Sequence, residues 1–166
     1  MKKVFAFLLC VLVLSCDDGD FDTPAFNFDE TVYGCDVINN EHVLFTLANS
    51  EALIVTLKTS ELKNEVGVVE VLINEDNTIY RTFSSDVTSS YFCQSVPPTE
   101  PEILSNWLGV SGSTNKIIID TQEELDENDV LIGYRHYISF ENLKLENGSN
   151  FIVYETWTFG EYVTSL

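Results

Sequence analysis

The 166-residue chain sets 27 acidic against 8 basic residues, a formal net charge of −19, and is 45% hydrophobic. A surface of that sign repels nucleic acid and anionic lipid head groups, which excludes nucleic-acid binding as a function. The apolar content is too high for a disordered acidic tail, and the length suits one domain with a real core.

In chain order, Lys2 and Lys3 precede an unbroken apolar run, Val4–Leu14. A helix needs about 20 residues to cross a bilayer, so residues 1–15 are read as a secretory signal peptide. The run ends Val13-Leu14-Ser15-Cys16, with an apolar residue three before a cysteine and a small residue just before it. This resembles a bacterial lipobox. The resemblance implies that the Cys16 thiol takes a diacylglycerol as a thioether and that a peptidase cuts in front of it. The competing reading is an ordinary signal cleaved elsewhere, with Cys16 structural. Cys10 also lies in the run, but it lacks the small residue and would leave Val11–Leu14 exposed. Removal of Lys2 and Lys3 leaves six of the eight basic residues against all 27 acids, a formal charge of −21.

Residues 16–31 are read as the lipidated cysteine and an acidic tether. The opening, Cys16-Asp17-Asp18-Gly19-Asp20-Phe21-Asp22, resembles the acidic stretch behind the lipidated cysteine of Bacteroidota-type lipoproteins, where it is a surface-export signal. By that resemblance Asp17, Asp18, Asp20 and Asp22 direct the protein to the outer face of the outer membrane. In enterobacterial systems an Asp behind the cysteine hints instead at inner-membrane retention, and the number of acids here favours export. Asp17–Glu30 would reach about 45 Å fully extended, at ~3.3 Å per residue. Phe21, Phe26 and Phe28 are spaced to dock the end of the tether on the domain rather than to bind a ligand.

The domain, residues 32–166, is strand-like throughout. His42–Asn49 and Glu51–Lys58 are β-branched and aromatic-rich runs around an Asn49-Ser50 turn. Gly67–Asn74 and Asn77–Ser84 repeat the arrangement across Glu75-Asp76-Asn77. Ser60–Glu65 fits one helical turn or a crossover loop. Three prolines mark Gln94–Trp107 as the end of the first half, where Thr99 and Glu102 have capping-box spacing for a helical turn through Leu104. Asn115–Thr121 and an acidic loop, Gln122–Asp129, follow. Two long runs, Val130–Leu145 and Asn150–Val163, are joined around Asn147-Gly148, a strong hairpin signal. In the last run Phe151, Val153, Trp157 and Phe159 share one parity, interrupted by Glu155, which predicts one buried face. About seven strands and no long helix predict an all-β domain, a single antiparallel β-sandwich of Ig-like or jelly-roll-like kind, with a small β-barrel as the alternative.

Cys35 and Cys93 remain in the domain. In an exported protein they are read as one disulfide, with two buried free thiols as the alternative. No catalytic motif stands out. Gly112-Ser113 lacks the nucleophile-elbow context and reads as a turn. His136 alternates with Tyr134 and Ile138 on one strand face and reads as a packed strand residue, and His42 opens a strand. Neither has metal-ligand spacing, so no metal or cofactor is expected. Asp126 and Asp129 are weak calcium candidates in a loop without EF-hand order. Arg135 and Lys144 are too few to build an anion site. Nine aromatics, Tyr80, Phe83, Tyr91, Phe92, Trp107, Tyr134, Tyr137, Tyr154 and Trp157, could fill the core or form a sugar-stacking platform. Trp107, in the Pro-rich segment, is the one expected to be exposed.

The whole chain resembles small outer-membrane lipoproteins of Bacteroidota type. The expected function is that of a non-catalytic protein held in the membrane by lipid on Cys16. It would serve as a glycan-binding module or as an accessory subunit of an envelope assembly. The alternative is a small surface hydrolase using carboxylates, which would show acids converging in a concave site.

Overall fold

The computed structural model describes residues 26–28, 31–94 and 96–166. It contains nine strands: β1 (Tyr33–Gly34), β2 (Glu41–Ala48), β3 (Glu51–Lys58), β4 (Gly67–Leu72), β5 (Thr78–Phe83), β6 (Ile103–Gly109), β7 (Lys116–Leu125), β8 (Leu131–Asn147) and β9 (Asn150–Ser165). One 3-10 turn spans Ser89–Tyr91. Among the described residues there is no α-helix, and hence none long and apolar enough to cross a membrane.

The strands form one sheet in the order β1-β2-β3-β5-β6-β8-β7-β4, with β9 beside β8, and every strand pair is antiparallel. The long β8 carries two partners in tandem on one edge, β7 over Leu131–Glu141 and β6 at Leu145 and Glu146. Strand β9 occupies the opposite edge from Gly133 to Asn147. The lead-in chain reaches two edges of the sheet: Tyr33 and Gly34 pair with Phe45 and Leu44 of β2, while Thr31 bridges in parallel to Glu161 of β9. The sheet therefore curls into a half-barrel around its core, the all-β antiparallel architecture expected from the alternation pattern. Glycine at position 34 is a packing requirement. A Cβ there would lie 2.6 Å from the Tyr162 ring, so any larger residue would have to displace that ring from its place over the lead-in.

Inside the curl, Leu44, Leu53, Val55, Leu57, Tyr80, Trp107, Ile117, Ile119, Ile138, Phe140, Leu143, Leu145 and Phe159 form the main core. Burying such side chains contributes roughly 1.5–3 kcal/mol each. Phe26 of the lead-in enters the same core at 6% exposure, its ring 4.8 Å from Tyr80, 4.9 Å from Tyr154 and 5.8 Å from Trp157. Phe28 packs edge-on against Tyr80 and Trp157. Both serve as the docking residues that their spacing suggested.

A second, smaller core lies on the outer face of β2 and β3. There Phe45, Ala52 and Ile54 meet Phe83, Val87, Tyr91 and Cys35, with Phe92 4.4 Å from Phe45. The segment that covers them is held by Val87 N–H to Asn49 O at 2.9 Å, and Phe83 N–H reaches Ser50 O at 2.8 Å. Because this patch covers the outer face, β2 and β3 read as continuous apolar runs rather than strict alternations.

Three local expectations change. Strands β4 and β5 do not form a hairpin: β4 pairs with β7, and β5 with β3 and β6. Side-chain bonds at the turn redirect the chain, since Asn74 Oδ1 accepts the Asp76 and Asn77 amides and Asn77 Oδ1 accepts the Asn74 amide. The Pro-rich segment runs into β6, so Ile103 and Leu104 extend along Phe83 and Ser105 pairs with Thr82 instead of making a helical turn. In β9 the buried parity switches within the strand. Ile152 and Tyr154 face inward first, then Trp157 and Phe159, leaving Phe151 and Val153 exposed. A bulge between Ile138 and Ser139 adds a further shift opposite Gly160, whose φ is 136°. A bulge places two residues against one and so resets the inward parity.

The Thr46 hydroxyl is buried with no hydrogen-bond partner among the described residues. Removing an unpaired buried polar group while keeping its shape is neutral or stabilising. Thr46→Val should therefore keep or raise stability by up to about 1 kcal/mol. Urea denaturation checks this, and a clear loss would show that the hydroxyl is bonded in solution.

Candidate functional site

Cys16, Asp17, Asp18, Asp20 and Asp22 lie outside the described residues. Cys35 and Cys93 are joined, with an S–S distance of 2.09 Å and Cα atoms 5.1 Å apart. Their bond fixes the Ser89–Tyr91 turn to the end of β1, over the second core. Trp107, expected to be the exposed aromatic, is instead 6% exposed and part of the main core. Its strand pairs with β5, and Trp107 stands opposite Tyr80 on the inward parity.

Asp126 and Asp129 belong to the β7–β8 turn rather than to a cation site. Asp126 Oδ1 accepts the amides of Asn128 at 2.8 Å and Val130 at 2.9 Å, and Asp129 has a φ of 60°. Those two amide bonds, Val130 first, hold the Asp126 carboxyl below its ordinary range. Among the described residues no group of three or more His, Cys, Asp or Glu side chains could hold a metal ion.

His136 is fully buried on the inner face near one end of the half-barrel. Its Nδ1 lies 2.9 Å from Thr121 Oγ1, and its Nε2 lies 3.1 Å from Thr164 Oγ1. The Thr164 hydroxyl donates to Asn64 Oδ1 at 2.6 Å, so it accepts from His136 Nε2–H, and Thr121 donates to Nδ1. Both ring nitrogens are thus engaged. Burial, and secondarily the charge of His42, push its pKa down to about 4. A cavity of about 580 Å³, lined by His42, Lys63, Asn64, Glu65 and Thr164, opens beyond this network without including the His136 ring. A base needs access to the proton it takes, and this histidine has none. It ties β7 to β9 across β8, and Thr164 carries the network on to Asn64 in the β3–β4 loop.

The outer face of β4, β7, β8 and β9 carries a different arrangement. Antiparallel register sets Val68, Asp120, Tyr137 and Glu161 in one cross-strand row and Glu70, Ile118, Ser139 and Thr158 in the next. Between the rows is a hollow of about 600 Å³ lined by Val68, Ile118, Asp120, Tyr137, Ser139, Thr158, Gly160 and Glu161. Gly160 sits at the bulge in β9 and lines the hollow beside Tyr137. Tyr137 is 37% exposed, and Val68 is 62% exposed. A shallower recess of about 310 Å³ shares Ser139 and Thr158 with it and runs on to Glu141, Thr156 and Trp157.

Charge in this region is partly neutralised. Arg135 binds Glu124 through two nitrogens at 2.7 Å each and Glu161 through a third at 2.7 Å. The first of these pairs holds the Glu124 carboxyl below its ordinary range. Asp120 is half-buried and has no hydrogen-bond or ion-pair partner among the described residues. The hollow therefore presents one aromatic ring, two aliphatic side chains, two hydroxyls and one free carboxylate. Of these residues, sequence reading had singled out only Tyr137, as one of nine aromatics. No protein-family model, curated protein or solved structure matches the chain, and its function is read from its own residues alone.

Proposed function

We propose that this protein is a non-catalytic, lipid-anchored lipoprotein of the outer membrane, exposed at the cell surface, whose β-domain is a binding module. The Tyr137 hollow carries the binding part of this reading. It is concave, of ligand size and lined by apolar and polar groups together, as small-molecule sites are. A hydrolytic reading is weaker. Of the two carboxylates lining the hollow, Glu161 is paired with Arg135, so the two are not free to act as an acid and base.

The anchoring part rests on the residues before and at Cys16. With Phe26 seated in the core, nine residues separate it from Cys16. They reach at most about 30 Å, shorter than the fourteen-residue tether read from composition. The domain would then stand close to the lipid surface, with its charge keeping it off anionic head groups. Cys16→Ala should move the protein from the membrane to the soluble fraction of its native cell, and protease added to whole cells should cut the wild type. Persistence of the variant in the membrane would overturn the anchor, and protection of the wild type would overturn the surface address.

A further inference from the structure

We infer that the Tyr137 hollow is a subsite for an uncharged oligosaccharide, an inference that rests on the binding-module reading and names its ligand class. Three properties of the site select that chemistry. First, the half-exposed Tyr137 ring stands with Val68 and Ile118 around one recess. Together they offer an apolar surface to the C–H face of a sugar ring while the rim stays polar. Second, the polar lining mixes a pure acceptor with groups that donate and accept: the unpartnered Asp120 carboxylate, and the Ser139 and Thr158 hydroxyls. Sugar hydroxyls also donate and accept, so they can satisfy both kinds. Third, the cations on this face among the described residues are already paired, Arg135 with Glu124 and Glu161 and Lys116 with Glu70. With a free carboxylate in the hollow and a net charge of −19 on the chain, an anionic ligand would meet repulsion and no counter-charge.

The same face is poorly built for a peptide. Backbone donors and acceptors of β7 and β8 are taken up by the sheet ladder here, and a peptide adding by strand to the open edge of β4 would lie beyond Val68, beside the hollow rather than over Tyr137. The shape favours an oligomer over a single sugar. Ser139 and Thr158 are shared by the two recesses, which run along the outer face from Tyr137 to Glu141 and its partner Thr156. That four-residue offset along β8 spans about 13 Å, room for more than one ring.

The test is calorimetric titration of the full-length protein, held in an amine-oxide detergent that carries no sugar. The probes are cellohexaose, laminarihexaose, maltohexaose and mannohexaose, with hexagalacturonate as the anionic probe and hexalysine as the cationic one. The expected result is saturable binding of at least one neutral hexaose and none of hexagalacturonate. Tyr137→Ala should weaken that binding about tenfold or more, and Asp120→Ala should also weaken it. Phe151→Ala, which removes an exposed aromatic from another part of the surface, should leave affinity within about twofold. Failure of all four neutral probes, binding that ignores Tyr137→Ala, or binding of hexalysine in their place would each overturn the inference. Membrane release of Cys16→Ala is read separately, so failure of the sugar titration removes the ligand class and leaves the anchor standing.

Discussion

Replacing Cys35 and Cys93 together by serine should lower the unfolding free energy by about 4 kcal/mol, the chain-entropy value for a loop of this length. The two residues are 58 apart in sequence, so the bond removes a large set of unfolded conformations. Its folded-state position gives it a second role. The Asp86–Cys93 segment contributes Val87 and Tyr91 to the small outer core, and its contacts reach β2 and β3 through Phe45 and Ile54. Without the crosslink this patch must hold by packing and by single amide bonds such as Val87 to Asn49. Urea denaturation of the wild type, of its reduced form and of the double variant separates the contributions. Reduction leaves the packing residues in place, so the reduced wild type should lose nearly as much as the variant. A loss well under 1 kcal/mol in both would overturn the assignment of this bond as the main crosslink of the fold.

The contrast between local and distant pairing explains how much of the fold the sequence disclosed. The β2–β3 hairpin and the β8–β9 hairpin are each written in adjacent residues, around Asn49-Ser50 and Gly148-Ser149. The disulfide could be read because two domain cysteines remained once Cys10 and Cys16 had been given other places. Pairing of β4 with β7 joins residues about 50 positions apart, and no local signal marks it. It also undid the expected β4–β5 hairpin, whose turn residues were present but served a change of direction. The parity of β9 failed for a similar reason. Alternation predicts a face only while the register holds, and the bulge near Gly160 and the switch near Glu155 change it twice.

The candidate site was the least legible part. Asp120 and Tyr137 become neighbours through the β7–β8 register, and Val68 joins them through β4. In sequence the three are scattered among many acids and aromatics. Trp107 drew attention because prolines precede it, but its strand position opposite Tyr80 decided its burial. Tyr137 lies in an apolar run and looked like core. Its odd parity relative to His136 and Ile138 is the signal that it points outward.

Acidification should cost the fold about 3 kcal/mol through His136 alone, a loss that a neutral substitute would not show. The folded pKa lies at about 4 against an ordinary 6.5. Between those values the unfolded chain binds a proton that the folded chain refuses, so stability falls as pH falls. The contribution is complete above about pH 6.5, is lost progressively down to pH 4, and changes no further once both states are protonated. The physical cause is burial, with His42 adding repulsion from the same face. Tyr162, whose ring centroid is 6.5 Å from the His136 ring, packs beside it, and Lys63 and Glu65 line the cavity beyond. Burial also lowers the pKa of His42, which makes its contribution the same in sign. The many surface carboxylates titrate over part of this range as well, so the wild type must be compared with His136→Gln at each pH. The glutamine variant should be less stable at pH 7, because it replaces a ring bonded on both sides to Thr121 and Thr164. Its gap to the wild type should narrow as pH falls from 6.5 to 4. A gap that stays constant in urea denaturation at pH 7, 5.5 and 4 would show that His136 titrates as an exposed histidine does, and that burial between Thr121 and Thr164 does not hold its ring neutral.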